Sequence, residues 1–234
     1  MWMQTVVVLA GLIGAQPSAD EETSKVVFPH PLMTEVLAAV PRDAGDANMD
    51  GSRDATGDEF VELMNPHEEA IELKGYRLSD RNLGGQGAVE FVFPEFRLGP
   101  GEVVVVFNGF GMKGGPGIGT KDAAPAEKHA RLGAWVFSME NQSEFASFSN
   151  KGDWVLLTSP SGRAVHVISW GEFKEELPEK EELVVERAEE GGSGSLCRYR
   201  FGGPMIGHSA LDGRMFSPGK HPIAAIHAAD GEGR

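Results

Sequence analysis

Short apolar runs separated by turn-forming residues are the feature that most constrains how this chain can fold. Runs rich in Val, Ile, Phe, Leu and Trp recur between Gly, Pro and Asn, and almost no segment has helical periodicity. This pattern indicates an all-β protein. We predict strands at residues 33–40, 59–65, 71–79, 89–94, 102–108, 134–138, 153–159, 164–170 and 195–201.

Two kinds of strand are present in this pattern. Val89, Phe91 and Phe93 occupy alternate positions, as on a strand with one buried face. Residues 103–107, Val-Val-Val-Val-Phe, are apolar on both faces and predict a central strand. A β-sandwich accommodates both kinds, because its sheets pack face to face.

The composition narrows the function classes. Hydrophobic residues make up 41% of the chain, so a core can form, and the net charge is -14. That charge repels nucleic acid and anionic lipid, which makes nucleic acid an unlikely direct ligand, and it suits cation binding. Cys197 is the single cysteine, so an internal disulfide and a Cys-rich zinc site are excluded, and we expect a small buried side chain.

Residues 46–54, Asp-Ala-Asn-Met-Asp-Gly-Ser-Arg-Asp, form a candidate calcium loop. Oxygen-bearing side chains fall at positions 1, 3, 5 and 9 of an EF-hand-type loop, with Gly51 at position 6, where the chain turns sharply. Position 12 is Gly57, and a strand follows in place of a helix, so Asp58 or Glu59 would supply the closing carboxylate. The predicted Ca²⁺ ligands are Asp46, Asn48, Asp50, Ser52, Asp54, Asp58 and Glu59. The alternative is an exposed turn, since Asp, Asn and Gly also favour turns without a metal.

The two ends of the chain differ from the middle. Residues 1–19 contain a short apolar run, which predicts a signal peptide. We therefore expect export to the periplasm, the cell surface or the medium. The alternative for this apolar run is a buried first strand. No later segment is long and apolar enough to span a membrane. We expect one domain over residues 30–220 and a flexible tail at 221–234.

Three irregular segments interrupt the strand pattern. Residues 109–119 are Gly-rich and contain a G-x-G-x-x-G sequence, but the helix that a dinucleotide site requires does not follow. Residues 120–131 are compatible with one short helix, and the acidic stretch 172–190 predicts a solvated insertion.

The ordered succession of motifs resembles the lamin tail domain family. Residues 59–66, Glu-Phe-Val-Glu-Leu-Met-Asn-Pro, and 70–80 carry the first part of the resemblance. The later segments follow in the expected order: 91–94, 98–106, 150–157, 161–162 and 165–171. The Asp/Asn loop and the ending at 207–209 and 216–219 resemble exported bacterial members. The resemblance implies an immunoglobulin-like antiparallel β-sandwich with irregular loop insertions and no catalytic site.

Catalytic alternatives have little support in the sequence. The seven histidines show no metal-binding spacing, and no nucleophile motif such as G-x-S-x-G is present. His166 alternates with Val165 and Val167, which predicts a solvent-facing ring, and His208 is expected to hydrogen-bond a loop. Trp154 and Trp170 are expected to fill the core.

We therefore expect an exported, non-enzymatic module for binding or surface attachment, stabilised by Ca²⁺, with a protein or an extracellular polymer as its partner. An accessory module that holds substrate beside a secreted nuclease or protease is the alternative. The sequence does not indicate the oligomeric state.

Overall fold

The computed structural model describes residues 26–177, 183–188, 193–198 and 203–220. The predicted signal peptide at 1–19 and the tail at 221–234 lie outside these residues. The described elements are β1 Leu32–Ala39, β2 Phe60–Met64, β3 Ile71–Glu72, β4 Arg77–Ser79, β5 Glu90–Val92, β6 Arg97–Leu98, β7 Val103–Phe107, β8 Ile118–Gly119, β9 Trp135–Ser138, β10 Gly152–Thr158, β11 Ala164–Gly171, β12 Val184–Arg187, β13 Gly194–Arg198, β14 Met205–Gly207 and the single-turn helix α1 His208–Asp212.

The strands form two main sheets, which confirms the predicted all-β sandwich. The large sheet has the order β14-β13-β1-β2-β7-β9-β8, and the small sheet has the order β12-β11-β10-β4-β5. A further two-stranded pair, β3 and β6, lies beside them. Among the described residues, no helix is long and apolar enough to cross a bilayer.

Both sheets are mixed, which the sequence did not predict. Most neighbours are antiparallel, but β9 runs parallel to both β7 and β8, and β12 runs parallel to β11. The parallel strands are separated along the chain by the irregular segments, because a parallel pair needs a long connection that returns the chain to its starting edge. The insertions therefore have a topological role.

The core between the sheets is rich in aromatic side chains. The Phe137 ring contacts Phe91, Phe93 and Phe96, with ring centroids 5.5, 5.5 and 5.3 Å away. Such tilted and edge-to-face contacts add to the free energy of burying the rings. Trp154 and Trp170 are also buried, as predicted.

The outer face of the large sheet is buried as well. In β7, Val104 and Val106 point into the inter-sheet core, while Val103, Val105 and Phe107 belong to a second apolar cluster on the other face. Irregular segments cover that second face with apolar side chains that include Met112, Leu132 and Phe216, and Ile118 of the edge strand β8 packs beside them. The predicted central position of this strand is thus confirmed.

The short helix with which residues 120–131 are compatible does not form, because this segment consists of bends and a terminal turn. Pro125 disfavours helical geometry at the residue before it, and the remaining stretch is too short for a stable helix. The chain also passes close to the sheet: a Cβ added at Gly119 would lie 2.5 Å from Pro125 Cδ.

A buried polar bridge joins the two sheets, and it corrects two expectations. Glu186 on β12 accepts hydrogen bonds from Arg198 on β13, with oxygen–nitrogen distances of 2.8 and 2.5 Å. His166 Nε2 lies 3.1 Å from Glu186 Oε2, and His166 Nδ1 accepts from the Met33 amide. His166 is therefore not exposed to solvent, and the acidic stretch 172–190 is not wholly solvated, because β12 pairs with β11 and buries Glu186.

The aromatic core generates a stability prediction. Phe137→Ala removes a fully buried ring with three aromatic neighbours, so we expect the free energy of unfolding to fall by about 3–5 kcal/mol, measured by urea denaturation. Phe145→Ala is the matched control, because the Phe145 side chain is 79% exposed and its truncation should change stability by less than about 0.5 kcal/mol. Equal losses in both variants would contradict this account of the core.

Candidate functional site

The candidate calcium loop connects β1 to β2 at one end of the large sheet. Its first half is shaped by side chains that accept hydrogen bonds from backbone amides. Asp46 Oδ2 accepts from Gly51 N at 3.1 Å, Asn48 Oδ1 from Asp50 N at 2.9 Å, and Asp50 Oδ1 from Ser52 N at 2.8 Å. Gly51 has φ 94°, in the left-handed region that favours glycine. The turn predicted at this residue is present.

Asp58 ties the two halves of the loop together. Its Oδ1 accepts from Asn48 N at 2.9 Å, and its Oδ2 accepts from Asp54 N at 2.6 Å. Burial raises the pKa of Asp58 to about 6 against the lowering effect of these bonds, and the nearby negative charge of Asp46 raises it further. The carboxyl groups of Asp46 and Asp58 therefore lie close together in a partly dehydrated part of the loop.

Two arginines hold the outside of the loop. Arg53 donates to Pro41 O at 2.9 Å and to Val40 O at 3.0 Å, which fixes the loop to the end of β1. Arg131 donates to Met49 O at 2.6 Å. In these three hydrogen bonds the acceptors are backbone carbonyl oxygens and not the acidic side chains of the loop.

The loop contains an oxygen atom that a hard cation could bind, but its acidic side chains do not converge on one point. Asp46 Oδ1 is buried and accepts no hydrogen bond, so this carboxylate oxygen has lost water without gaining a partner. A bound cation would supply one. However, no three Asp, Glu, His or Cys side chains in the described part of the chain converge in a metal-binding arrangement. The backbone of the loop is formed, while the side chains bond amides.

Most of the predicted ligands lie on one loop, although no three acidic side chains of the described residues converge there. Asp46, Asn48, Asp50 and Asp54 share the loop with Asp58, and Ser52 is exposed on its outside. Glu59 is directed elsewhere: its Oε2 accepts from Phe148 N at 3.1 Å and from Asn108 Nδ2 at 3.2 Å. Burial raises its pKa well above the ordinary value.

Comparison with known families decides what kind of domain this is. Residues 43–172 match the family model of the Lamin Tail Domain, and the match covers more than half of the chain. The chain belongs to the lamin tail domain family. No curated protein matches the chain. The matched residues include the candidate loop and end with β11, so β1 and β12 to β14 extend this lamin tail domain beyond the family model.

Lamin tail domains are a non-catalytic, immunoglobulin-like family. The G-x-G-x-x-G segment of this lamin tail domain does not form a dinucleotide site. Although β7 runs parallel to β9, the residues after Gly109 form a turn, closed by a hydrogen bond from Met112 N to Gly109 O. A dinucleotide site needs a helix N-terminus at this point to bind the pyrophosphate.

A buried group of serine, histidine and glutamate lies out of reach of a substrate. Ser217 Oγ lies 2.7 Å from His208 Nε2 and 3.1 Å from Glu35 Oε2, while Ser195 Oγ donates to Glu35 Oε1 at 2.6 Å. All four side chains are buried, so a substrate cannot reach the hydroxyl. The predicted loop contact of His208 and the predicted burial of Cys197 are confirmed. Sequence reasoning missed Glu35, although a carboxylate within an apolar strand is a signal.

Glu62 completes this cluster on the outer face of the large sheet. It is paired with Glu35 across β1 and β2, and it accepts from Thr34 Oγ1 at 2.7 Å and from Gly219 N at 2.7 Å. The C-terminal segment around residues 217–219 is therefore held on the sheet by two buried carboxyl groups. Burial, with the adjacent Glu35 charge, raises the pKa of Glu62 to about 8.

This raised pKa generates a pH prediction. The folded lamin tail domain holds the Glu62 proton more tightly than the unfolded chain, whose glutamate titrates near 4.5. The contribution of Glu62 to stability is therefore fully present below pH 4.5 and is lost as the pH rises toward 8. Between these limits we expect a loss on the order of 3 kcal/mol, measured by urea denaturation at pH 5 and pH 8.

Two variants isolate the contribution of Glu62. Glu62→Gln stays neutral at every pH, so its stability should fall less between pH 5 and pH 8 than that of the wild type. Glu68→Gln, at an exposed position, should follow the wild type. Parallel pH profiles for wild type and Glu62→Gln would show that Glu62 is already ionised in the folded protein.

Proposed function

We propose that this lamin tail domain is an exported module of the bacterial type that binds another macromolecule or attaches to a surface, and that Ca²⁺ stabilises it. The observation that carries the calcium part is the buried, unbonded Asp46 Oδ1 in a loop of closely spaced carboxylates. The binding part is supported by membership of a non-catalytic family and by the buried position of the Ser217, His208 and Glu35 group.

Five residues would hold the ion: Asp46, Asn48, Asp50, Asp54 and Asp58. All carry the oxygen donors that Ca²⁺ prefers. The bound ion would supply positive charge to a place where burial and mutual repulsion oppose ionisation of Asp58. Because the loop leads into β2, a central strand of the large sheet, its order affects the whole end of the sandwich.

A protein or an extracellular polymer is the partner class that the charge of the domain favours. With a net charge of -14, the surface repels nucleic acid, and a calcium requirement fits the millimolar concentrations outside cells. Export is supported by the sequence of residues 1–19, which lie outside the described residues.

Calcium binding is tested by thermal melts in calcium, in magnesium and in chelator. At ten times the Kd, binding to the folded state adds about 1.4 kcal/mol, which corresponds to a rise in Tm of about 3–6 °C for a domain of this size. Magnesium should produce a much smaller rise, because it demands octahedral geometry and dehydrates reluctantly.

The variants Asp46→Ala and Asp50→Ala should abolish the calcium-dependent rise. Asp43→Ala is the matched control, since Asp43 is exposed and precedes the loop, and it should keep the wild-type response. The decisive quantity is the difference in Tm between calcium and chelator, because Asp46→Ala also removes the bond to Gly51 and lowers the Tm itself. If wild type and variants melt alike in all buffers, the calcium proposal is wrong.

Export is tested by expressing the full chain in a bacterial host with an intact secretion pathway. We expect the exported protein to begin near residue 16 or 20, after Ala15 or Ala19, as determined by intact mass and N-terminal sequencing. Replacement of Leu9 and Leu12 by Asp interrupts the apolar run and should keep the chain in the cytoplasm. Cytoplasmic wild-type protein that retains Met1 would contradict export.

A further inference from the structure

A crevice lies where three neighbouring strands of the large sheet end. Strand β9 lies between β7 and β8 and runs parallel to both, so the carboxyl ends of all three strands meet at the same edge of the sheet. The residues at and after these ends, 109–114, Thr120, Ser138 and 140–142, surround a cavity of about 320 Å³. In open parallel sheets, ligands bind outside the carboxyl ends of the strands, where successive loops diverge. This sandwich has the same arrangement in one part of its large sheet.

Glycine allows the walls of the crevice to approach closely. A Cβ added at Gly109 would lie 2.0 Å from Ser138 Oγ, and one added at Gly57 would lie 2.2 Å from Phe110 O. Gly109 N also donates to Gly57 O at 3.1 Å. The crevice therefore shares a wall with the end of the candidate calcium loop, and a residue with a side chain at position 109 would displace the wall.

The lining combines hydrogen-bonding groups of no net charge with a small apolar surface. Thr120 and Ser138 supply hydroxyl groups, and Asn141 and Gln142 supply amides. Glu140 adds one carboxylate and Lys113 one ammonium group. Met112 and Ile118 supply apolar surface beside them. Amides and carboxylates present planar pairs of donor and acceptor atoms, which match adjacent hydroxyl groups, and the apolar side chains match the C–H face of a sugar ring.

The backbone at Glu140 is held in a costly conformation. Glu140 has φ 53°, in the left-handed region that non-glycine residues rarely adopt. Its amide bonds Ser138 Oγ at 3.1 Å, and its carbonyl accepts from Gln142 Nε2 at 2.7 Å. Strained backbone that the surroundings hold in place is found at binding sites, where it presents side chains in a defined direction.

We propose that this crevice binds a neutral saccharide unit of an extracellular polymer. The proposal deepens the proposed function and rests on the role of the domain as a binding module. Two other classes of ligand fit less well. Lys113 balances Glu140 within the lining, so the net charge of -14 of the whole chain opposes an anion, and the many polar groups oppose a purely apolar molecule. A peptide segment of a protein partner is the competing occupant that the experiment separates.

The experiment is an NMR titration of the mature domain, residues 20–234, in calcium buffer. The probes are cellohexaose, mannohexaose and chitohexaose at up to 10 mM, with a Gly-Ser peptide of similar length as a comparison. We expect at least one oligosaccharide to shift the amide resonances of residues 109–114 and 138–142, while the peptide does not. Gln142→Ala should weaken that binding at least tenfold, and Glu140→Gln should weaken it several-fold.

Controls separate this proposal from the proposed function. Gln86→Ala, at an exposed position outside the crevice, should bind the oligosaccharide like the wild type. The proposal is overturned if no oligosaccharide shifts the crevice resonances, if the peptide shifts them equally, or if Gln142→Ala binds normally. Binding of the domain to whole cells or to cell-wall material is measured in parallel. Retained adhesion without oligosaccharide binding would reject only the crevice, whereas loss of both would also reject the binding function.

Discussion

The large sheet is buried on both faces, and this double burial explains most other features of the sandwich. Strand β7 has five apolar residues in succession, and their alternation places two in the core between the sheets and three on the outer face. Exposure of that outer face would leave a large apolar surface in water. The irregular segments after β7 and at the C-terminal end cover it, so they are structural parts of the sandwich.

The same cover explains the buried polar groups. Glu35 and Glu62 face outward from the large sheet and would be solvated if the C-terminal segment did not lie over them. Each instead accepts hydrogen bonds from that segment. A buried carboxyl group without a hydrogen-bond partner would destabilise the folded state by more than its packing contacts stabilise it. Between the sheets, the pairing of Arg198 with Glu186 has the equivalent role for β12. These bonds specify where the irregular segments attach.

Features that depend on residues close together in the sequence were predicted correctly, and features that depend on distant contacts were not. The strand at β7 and the sharp turn at Gly51, with φ 94°, depend on neighbours in the sequence, and both were predicted. The side-chain bonds of Asp46, Asn48 and Asp50 are also local. Glu59 was wrongly grouped with Asp58 as a loop-facing group, although successive residues entering a strand point to opposite sides. His166 was misplaced because alternation indicates two faces and does not show that β1 and β12 cover the second one.

The all-β class, the central strand, the turns and the spacing of the acidic loop can be read from the amino-acid order alone, since each is set by short-range periodicity or by the backbone preferences of Gly, Pro, Asp and Asn. Three features become visible only in the folded chain: which strands are parallel, which carboxyl groups are buried, and which loops meet at the crevice beside β7, β8 and β9. Those outcomes depend on contacts between residues far apart in the chain, and strand patterns alone carry no information about which distant segment will cover a given face.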